Sequence, residues 1–429
     1  MSPGDQGGPE TTGDRGGPET TGPYAVGVVG AGTMGAGIAE AAIRAGCTVR
    51  LHDAFPEAVS KALERIEGSL RRSVDKGKLE EAEAKAIFAR LEPAPALTDL
   101  CGATVVIEAA PEDPALKEEL FQRLDAACPA PATLASNTSS LSVTSLQSAV
   151  SDPARVVGMH FFNPAPVMRL VEVIAGARSG EPALVAAEAL ARRMDKTPVR
   201  ASDTPGFIVN RVARPFYGEA LRMLGEGIAD VDVIDDAVRA LGFRMGPFEL
   251  MDLIGVDVNL AVTRSVWEAT YFEPRYRPHR IQARLVESGL HGRKTGRGFY
   301  GYDGDGRRLD PTEGIGPPQV SGQALPPGRD ETALVAERLS LEGDGGIAAR
   351  LLAMLVNEAV FATDDGVAAP AGIDEALRLG ANHPRGPFEW LDAIGPGLVL
   401  AVMEGLWDWY REDRYRPAPG LRWRAGGKF

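Results

Sequence analysis

The stretch His160–Ile174, HFFNPAPVMRLVEVI, holds two side chains whose types suit proton transfer. Oxidising an alcohol removes the hydroxyl proton while carbon gives up hydride. That needs a base titrating near neutrality, and imidazole is the side chain whose unperturbed pKa lies there. The imidazolium formed in such a step needs a nearby anion to orient and stabilise it. Glu172 lies in the otherwise apolar run LVEVI, where a carboxylate requires a partner, so His160 and Glu172 read as a base and its anion. The competing reading of His160 is a hydrogen-bonded core histidine. Upstream, Ser136-Asn137-Thr138-Ser139-Ser140 ends another strand pattern, and carboxyl ends of strands line the ligand crevice of open sheets.

A hydride acceptor is indicated near the start of the chain. Gly30-Ala31-Gly32-Thr33-Met34-Gly35 follows the apolar run AVGVV and opens an Ala-rich stretch with helical spacing. In that setting Gly30 permits the tight turn, Gly32 lets backbone approach a pyrophosphate, and Gly35 lets helix pack on strand, with the helix N-terminus facing the phosphate charge. Asp53 ends the next strand pattern, 23 residues after Gly30, where a carboxylate accepts from the adenosine ribose and repels a 2′-phosphate. The expected cofactor is NAD rather than NADP.

These groups must be held by a βαβ sheet. Helix patterns at Glu57–Lys76, Leu79–Leu91 and Ala115–Ala127 alternate with strand patterns at Ala103–Ala109, Thr133–Asn137, Arg155–Phe161 and Arg169–Gly176. The expected fold is therefore an α/β, Rossmann-type, doubly wound sheet. After Thr204-Pro205-Gly206 the strand signals stop and apolar residues recur at helical spacing. The series Asn210, GPFELMDLIG (Gly246–Gly255), Trp267, EPRYRP (Glu273–Pro278) returns as Asn357, GPFEWLDAIG (Gly386–Gly395), Trp407, EDRYRP (Glu412–Pro417). Two all-α domains related by internal duplication follow from that order, and two such bundles can pack about a pseudo-twofold axis and internalise an interface. The expected division is a disordered leader at 1–23, a nucleotide-binding domain at 24–203, a first helical copy at 204–302, a Gly/Pro-rich linker at 303–345 and a second copy at 346–429.

SNTSS, HFFNPxPVMxLVEVI, DTPGFIVNR (Asp203–Arg211) and GRKTGRGFY (Gly292–Tyr300), in this order after GxGxxG, resemble the (S)-3-hydroxyacyl-CoA dehydrogenase family over about residues 24–302. The repeated helical domain resembles that of its longer members, including those similar to 3-hydroxybutyryl-CoA and 3-hydroxyadipyl-CoA dehydrogenases. The resemblance implies NAD-dependent interconversion of short-chain (S)-3-hydroxyacyl-CoA and 3-oxoacyl-CoA in fatty-acid or aromatic-acid catabolism. It implies His160 and Glu172 as the catalytic pair, Ser139 on the substrate oxygen, and Asn210 fixing substrate and geometry. Cofactor contacts carried over are the Gly30–Gly35 turn with Thr33 and Met34, Asp53, Glu112, Lys117, Asn137 and Lys294. Ser69 and Lys76 would hold the CoA portion, although an ordinary solvated helix explains that stretch equally well. Asn163 either shapes the turn presenting His160 or donates near the thioester carbonyl.

The second helical copy has no nucleotide-binding domain after the linker, and it ends at GGKF where the first runs on to GRKTGRGFY. Its expected job is scaffolding: covering the first bundle or shaping the acyl pocket. A net charge of −13 disfavours nucleic acid as a partner, and three scattered cysteines suit neither a disulfide framework nor a metal site. No metal is expected, and His52, His279, His291 and His383 read as ordinary polar or half-buried residues. No secretory signal or membrane span is legible, so the expected location is cytoplasmic, with an acyl-CoA as ligand and a homodimer as assembly. The rival readings are an NAD-dependent hydroxy-acid dehydrogenase that does not use CoA and a catalytically silent NAD-binding structural protein.

Overall fold

A computed structural model of the chain describes residues 24–315, 334, 335, 337, 338 and 345–427. The leader and most of the linker lie outside the described residues. The strands are β1 (Ala25–Val29), β2 (Thr48–His52), β3 (Leu91–Pro93), β4 (Val105–Glu108), β5 (Thr133–Ser136), β6 (Val156–Phe161), β7 (Leu170–Ala175) and β8 (Thr197–Ser202). They form one sheet in the order β3-β2-β1-β4-β5-β6-β7-β8. Neighbours are parallel except β6 and β7, which are antiparallel, so β7 and β8 run against the first six strands. Neither β3 nor β8 was expected; at three residues β3 is too short to carry a period, and TPVRAS mixes Pro and Arg into its apolar positions.

Side chains alternate across a strand, and that alternation sorts the sheet into two faces. Val26, Val28, Leu51, Ile107, Val157, Met159, Val171 and Val173 pack beneath α1 (Thr33–Arg44), α2 (Pro56–Asp75) and α6 (Glu181–Arg193); α3 (Glu81–Phe88) adds Ile87. Val29, Val106, Leu134, Val156, Leu170 and Ile174 face the other way, against α4 (Pro114–Ala127), α5 (Val143–Leu146) and the helical part of the chain. His160 has the parity of Val156, and Glu172 that of Leu170 and Ile174. Both therefore point toward the helices.

The first helical copy comprises α7 (Val209–Val212), α8 (Arg214–Gly225), α9 (Val231–Arg239), α10 (Pro247–Ile254), α11 (Val256–Ala269) and α12 (Arg280–Glu287). Its ordered part extends past residue 302, because β9 (Tyr300–Tyr302) pairs antiparallel with β10 (Arg308–Pro311) inside the stretch read as linker. The second copy comprises α13 (Gly345–Asp364), α14 (Pro370–Gly380), α15 (Pro387–Ile394), α16 (Pro396–Tyr410) and α17 (Pro419–Arg424). α13 is long and apolar enough to cross a membrane, but 89% of its apolar window is buried in the protein, where it is the central core helix.

Reciprocal ion pairs set the true register of the duplication. Arg211 bonds Glu358 (3.0 Å) and Asp365, while Arg350 bonds Glu219 (2.5 Å) and Glu226 (3.2 Å). Tyr276 donates to Glu358 and Tyr415 to Glu219. Each residue of one set lies 139 positions from its counterpart. On that register Asn210 matches Ala349 and Asn357 matches Gly218, so the Asn210–Asn357 correspondence expected from motif order is wrong. Asn357 is instead buried, bonding Arg416 O (3.0 Å) and Ala418 N (2.8 Å).

Candidate active site

The antiparallel register of β6 and β7 places His160 directly opposite Glu172. Imidazole Nδ1 lies 2.5 Å from Glu172 Oε2, and Nε2 lies 3.1 Å from Ser139 Oγ. Glu172 is fully buried, and its other oxygen accepts from the backbone N–H groups of Ile208 (3.1 Å) and Val209 (2.8 Å) at the start of α7. Three donors thus hold both oxygens of the carboxylate in place. It fixes Nδ1 as the donor nitrogen and leaves Nε2 facing Ser139. Phe162 and Phe207 pack on the imidazole at 4.6 and 5.8 Å between ring centres. Asn137 Oδ1 accepts from Phe161 N (2.8 Å), tying the end of β5 to the end of β6.

The SNTSS turn is held from below by acids. Glu112 accepts from Thr138 Oγ1 (2.6 Å), Ser139 N (2.9 Å) and Ser140 N (3.0 Å). Burial works to raise its pKa, but the Lys117 charge and these donors outweigh that and hold the carboxyl below its ordinary range. Lys117 was expected to contact the cofactor directly. It is 1% exposed, and its ammonium is taken up by buried Glu108 (2.6 Å) and by Glu112 (3.3 Å). In the fold this ammonium anchors the Glu112 loop through the two carboxylates. Glu108, which also accepts from Ser136 Oγ (2.6 Å), was not among the expected residues. A signal for it exists: a carboxylate closing the run VVIE, followed nine residues later by a lysine on a helix.

The Gly30–Gly35 turn fits a dinucleotide. Gly30 has φ +100°, and a Cβ there would lie 2.5 Å from Ala109 O; at Gly35 it would lie 1.7 Å from Gly30 O. At Gly32 a Cβ would meet nothing within 4 Å, so the space above the turn is open. α1 has no side-chain cap and no acid in its first turn, leaving its N-terminal amides to an anion. Thr33 is exposed and Met34 half-buried beside that opening. Asp53 Oδ2 accepts from Ala31 N (2.7 Å), locking the acid against the turn. These residues would hold the pyrophosphate and the adenosine ribose of NAD.

The remaining expected residues are more scattered. Asn210 is half-buried on α7, next to the amides that bind Glu172. Asn163 is exposed on the turn after β6. That turn is tied down by Lys196, whose ammonium donates to Ala165 O (2.6 Å) and Met168 O (2.7 Å) and whose pKa burial lowers to about 8. Lys294 is half-exposed and paired with Asp257 (2.6 Å). Ser69 donates to buried Glu40 (2.7 Å), and Lys76 is exposed at the end of α2. Neither Ser69 nor Lys76 is brought against His160.

The chain is similar to known proteins along its length. A family model described as "3-hydroxyacyl-CoA dehydrogenase, NAD binding domain" matches residues 25–204. Its companion, "3-hydroxyacyl-CoA dehydrogenase, C-terminal domain", matches 206–302 and again 345–424. The chain is 37% identical to a 3-hydroxyadipyl-CoA dehydrogenase of Escherichia coli K12, over 93% of this chain and 97% of that protein. The crystal structure of a 3-hydroxybutyryl-CoA dehydrogenase from Escherichia coli K12 superposes with a TM-score of 0.83 at 37% identity, covering 94% of this chain and 98% of the other. That of an (S)-3-hydroxybutyryl-CoA dehydrogenase from Ralstonia eutropha gives 0.64 at 40% identity, covering 66% of this chain and all of the other.

Proposed function

The chain belongs to the 3-hydroxyacyl-CoA dehydrogenase family, NAD-dependent oxidoreductases, and from that premise we propose a short-chain (S)-3-hydroxyacyl-CoA as its substrate and the following division of labour. His160 Nε2 takes the hydroxyl proton as the C3 hydrogen leaves as hydride, and returns it in the reverse direction. Glu172, bonded to Nδ1 and clamped by two backbone amides, stabilises the imidazolium and keeps the ring facing the substrate. Ser139, 3.1 Å from Nε2, occupies the place where the substrate oxygen is recognised. Bound NAD supplies the hydride acceptor. Asp53 and the Gly30–Gly35 turn would hold it, and Glu112 fixes the Thr138–Ser140 loop. Asn210 aligns the substrate, Asn163 borders its entrance, and Ser69, Lys76 and Lys294 make the peripheral contacts to CoA and cofactor.

The observation that carries this reading is the continuous relay Glu172–His160–Ser139 at the carboxyl ends of β5 and β6. Acetoacetyl-CoA and 3-oxoadipyl-CoA are the two substrates to compare. A cytoplasmic, homodimeric enzyme of fatty-acid or aromatic-acid breakdown is the setting that this chemistry suits. The decisive test follows NADH absorbance with acetoacetyl-CoA, free acetoacetate and the His160→Gln protein. Turnover with the thioester, none with the free acid, and a loss of about a thousandfold in the variant are expected. Full turnover in a folded, NAD-binding His160→Gln protein would overturn the assignment.

A further inference from the structure

The second helical copy reaches the catalytic pair, and it does so through a residue without a side chain. Gly380 is the last residue of α14, which packs on α7 and β7. A Cβ at this position would lie 2.6 Å from Leu170 Cδ2, 3.0 Å from Val209 Cγ2 and 3.4 Å from Phe162 Cε1. Each of these neighbours is one step from the chemistry. Leu170 precedes Glu172 on the same face of β7. Val209 donates its backbone N–H to Glu172 Oε1 (2.8 Å). The Phe162 ring lies 4.6 Å from the imidazole of His160. Interiors are close-packed, so added volume at such a point is relieved only by moving a neighbour.

We propose that Gly380 is a positioning residue for the His160–Glu172 pair, donated by the repeat that carries no cofactor site. Its missing side chain lets α14 close directly on Phe162, Val209 and Leu170, which presses the imidazole and the carboxylate into register. The inference rests on the dehydrogenase reading above. Within it, the second copy does more than cover the first bundle: it packs against the residues that flank the catalytic pair.

The test uses the full-length chain carrying Gly380→Val, with Gly372→Val on the same helix as control. Gly372 faces β8, where an added Cβ would meet only Val199 at 3.1 Å. The kcat for acetoacetyl-CoA reduction is expected to fall between about tenfold and a hundredfold in Gly380→Val, with the KM for NADH within about twofold. Adding Leu170→Ala, which vacates the space the new side chain needs, is expected to restore most of that loss. The control is expected to keep wild-type kcat. If Gly380→Val does not fold, Gly380→Ala replaces it, with an expected loss of about threefold. Wild-type kcat in the folded Gly380 variant, or an equal loss in the Gly372 control, would overturn the proposal. The downfield Nδ1–H resonance of His160 gives a reading independent of substrate. It is expected to shift in Gly380→Val and not in Gly372→Val, even if the wild-type protein proves inactive toward acyl-CoA and the dehydrogenase reading itself fails.

Discussion

The two helical copies share an ancestor's plan and have been put to different uses. Across their interface they remain reciprocal. Arg211, Glu358, Arg275 and Tyr276 form one buried cluster; Arg350, Glu219, Arg414 and Tyr415 form its counterpart. Away from the interface they diverge. In the first copy the chain continues into Gly292–Tyr302, and there Phe299 N, Tyr300 N and the Tyr302 hydroxyl all donate to Asp252. Tyr300 also donates to Asp235 (3.0 Å). In the second copy the corresponding Asp392 is exposed, and among the described residues Asp374 keeps only the amides of Phe388 and Glu389. Asn210 is half-buried on α7, one residue from an amide that binds Glu172, whereas the side-chain amide of Asn357 is spent pinning the chain at 416–418. The interface holds the duplication in place, and the freedom to change lies outside it.

The sharpest way to break that symmetry is to remove one arginine from each cluster. In Arg350→Met, Glu219 is left fully buried without its bonding cation, because Arg414 makes no hydrogen bond to it within the described residues. A loss of about 3–5 kcal/mol is expected in denaturant unfolding. In Arg211→Met, Glu358 retains Arg275 at 2.8 Å, and a smaller loss of about 1–3 kcal/mol is expected. Equal losses would mean that the clusters are energetically interchangeable.

A second difference concerns pH. His383, in the second copy, is enclosed against Phe216 and Phe243 of the first, and burial lowers its pKa to about 3. Below pH 6.5 the unfolded imidazole takes a proton that the folded one refuses. The unfolded state then binds more protons, and stability falls as pH falls toward 3. Between pH 6.5 and 4 this amounts to roughly 3 kcal/mol, which His383→Leu should remove from the pH profile of unfolding. An unchanged acid slope in that variant would place the acid sensitivity elsewhere.

The two asparagines sharpen the division of labour at smaller cost. Asn357→Ala is expected to destabilise by about 1–3 kcal/mol, since it orphans the buried amide of Ala418, with turnover per folded molecule unchanged. Asn210→Ala is expected to do the reverse, lowering kcat with little change in unfolding midpoint. Exchanged phenotypes would contradict the register drawn from the ion pairs.

Much of the site is legible in the residues alone. Strand, glycines, helix and Asp53 follow one another within about thirty residues, the range over which local sequence controls conformation. His160 and Glu172 stand out because a carboxylate in an apolar strand demands a partner. Less is legible where partners are far apart along the chain. Nothing near Arg211 announces that Glu358, 147 positions on, will take its charge. Phe162, Phe207 and Gly380 carry no mark at all, being apolar residues whose importance comes from what they pack against.

The sequence by itself determined the nucleotide turn, the candidacy of His160 and Glu172 as a base and its anion, and the presence of a duplication, because each is written in residue type and short-range period. Only the tertiary structure decided that β7 runs antiparallel to β6 and so sets His160 against Glu172. Only it decided that the repeats align on Arg211 and Arg350 rather than on their asparagines, and that the end of α14 closes on Leu170, Val209 and Phe162. Those outcomes depend on contacts between residues from twelve to more than two hundred positions apart, which packing and charge pairing choose and local propensity does not encode.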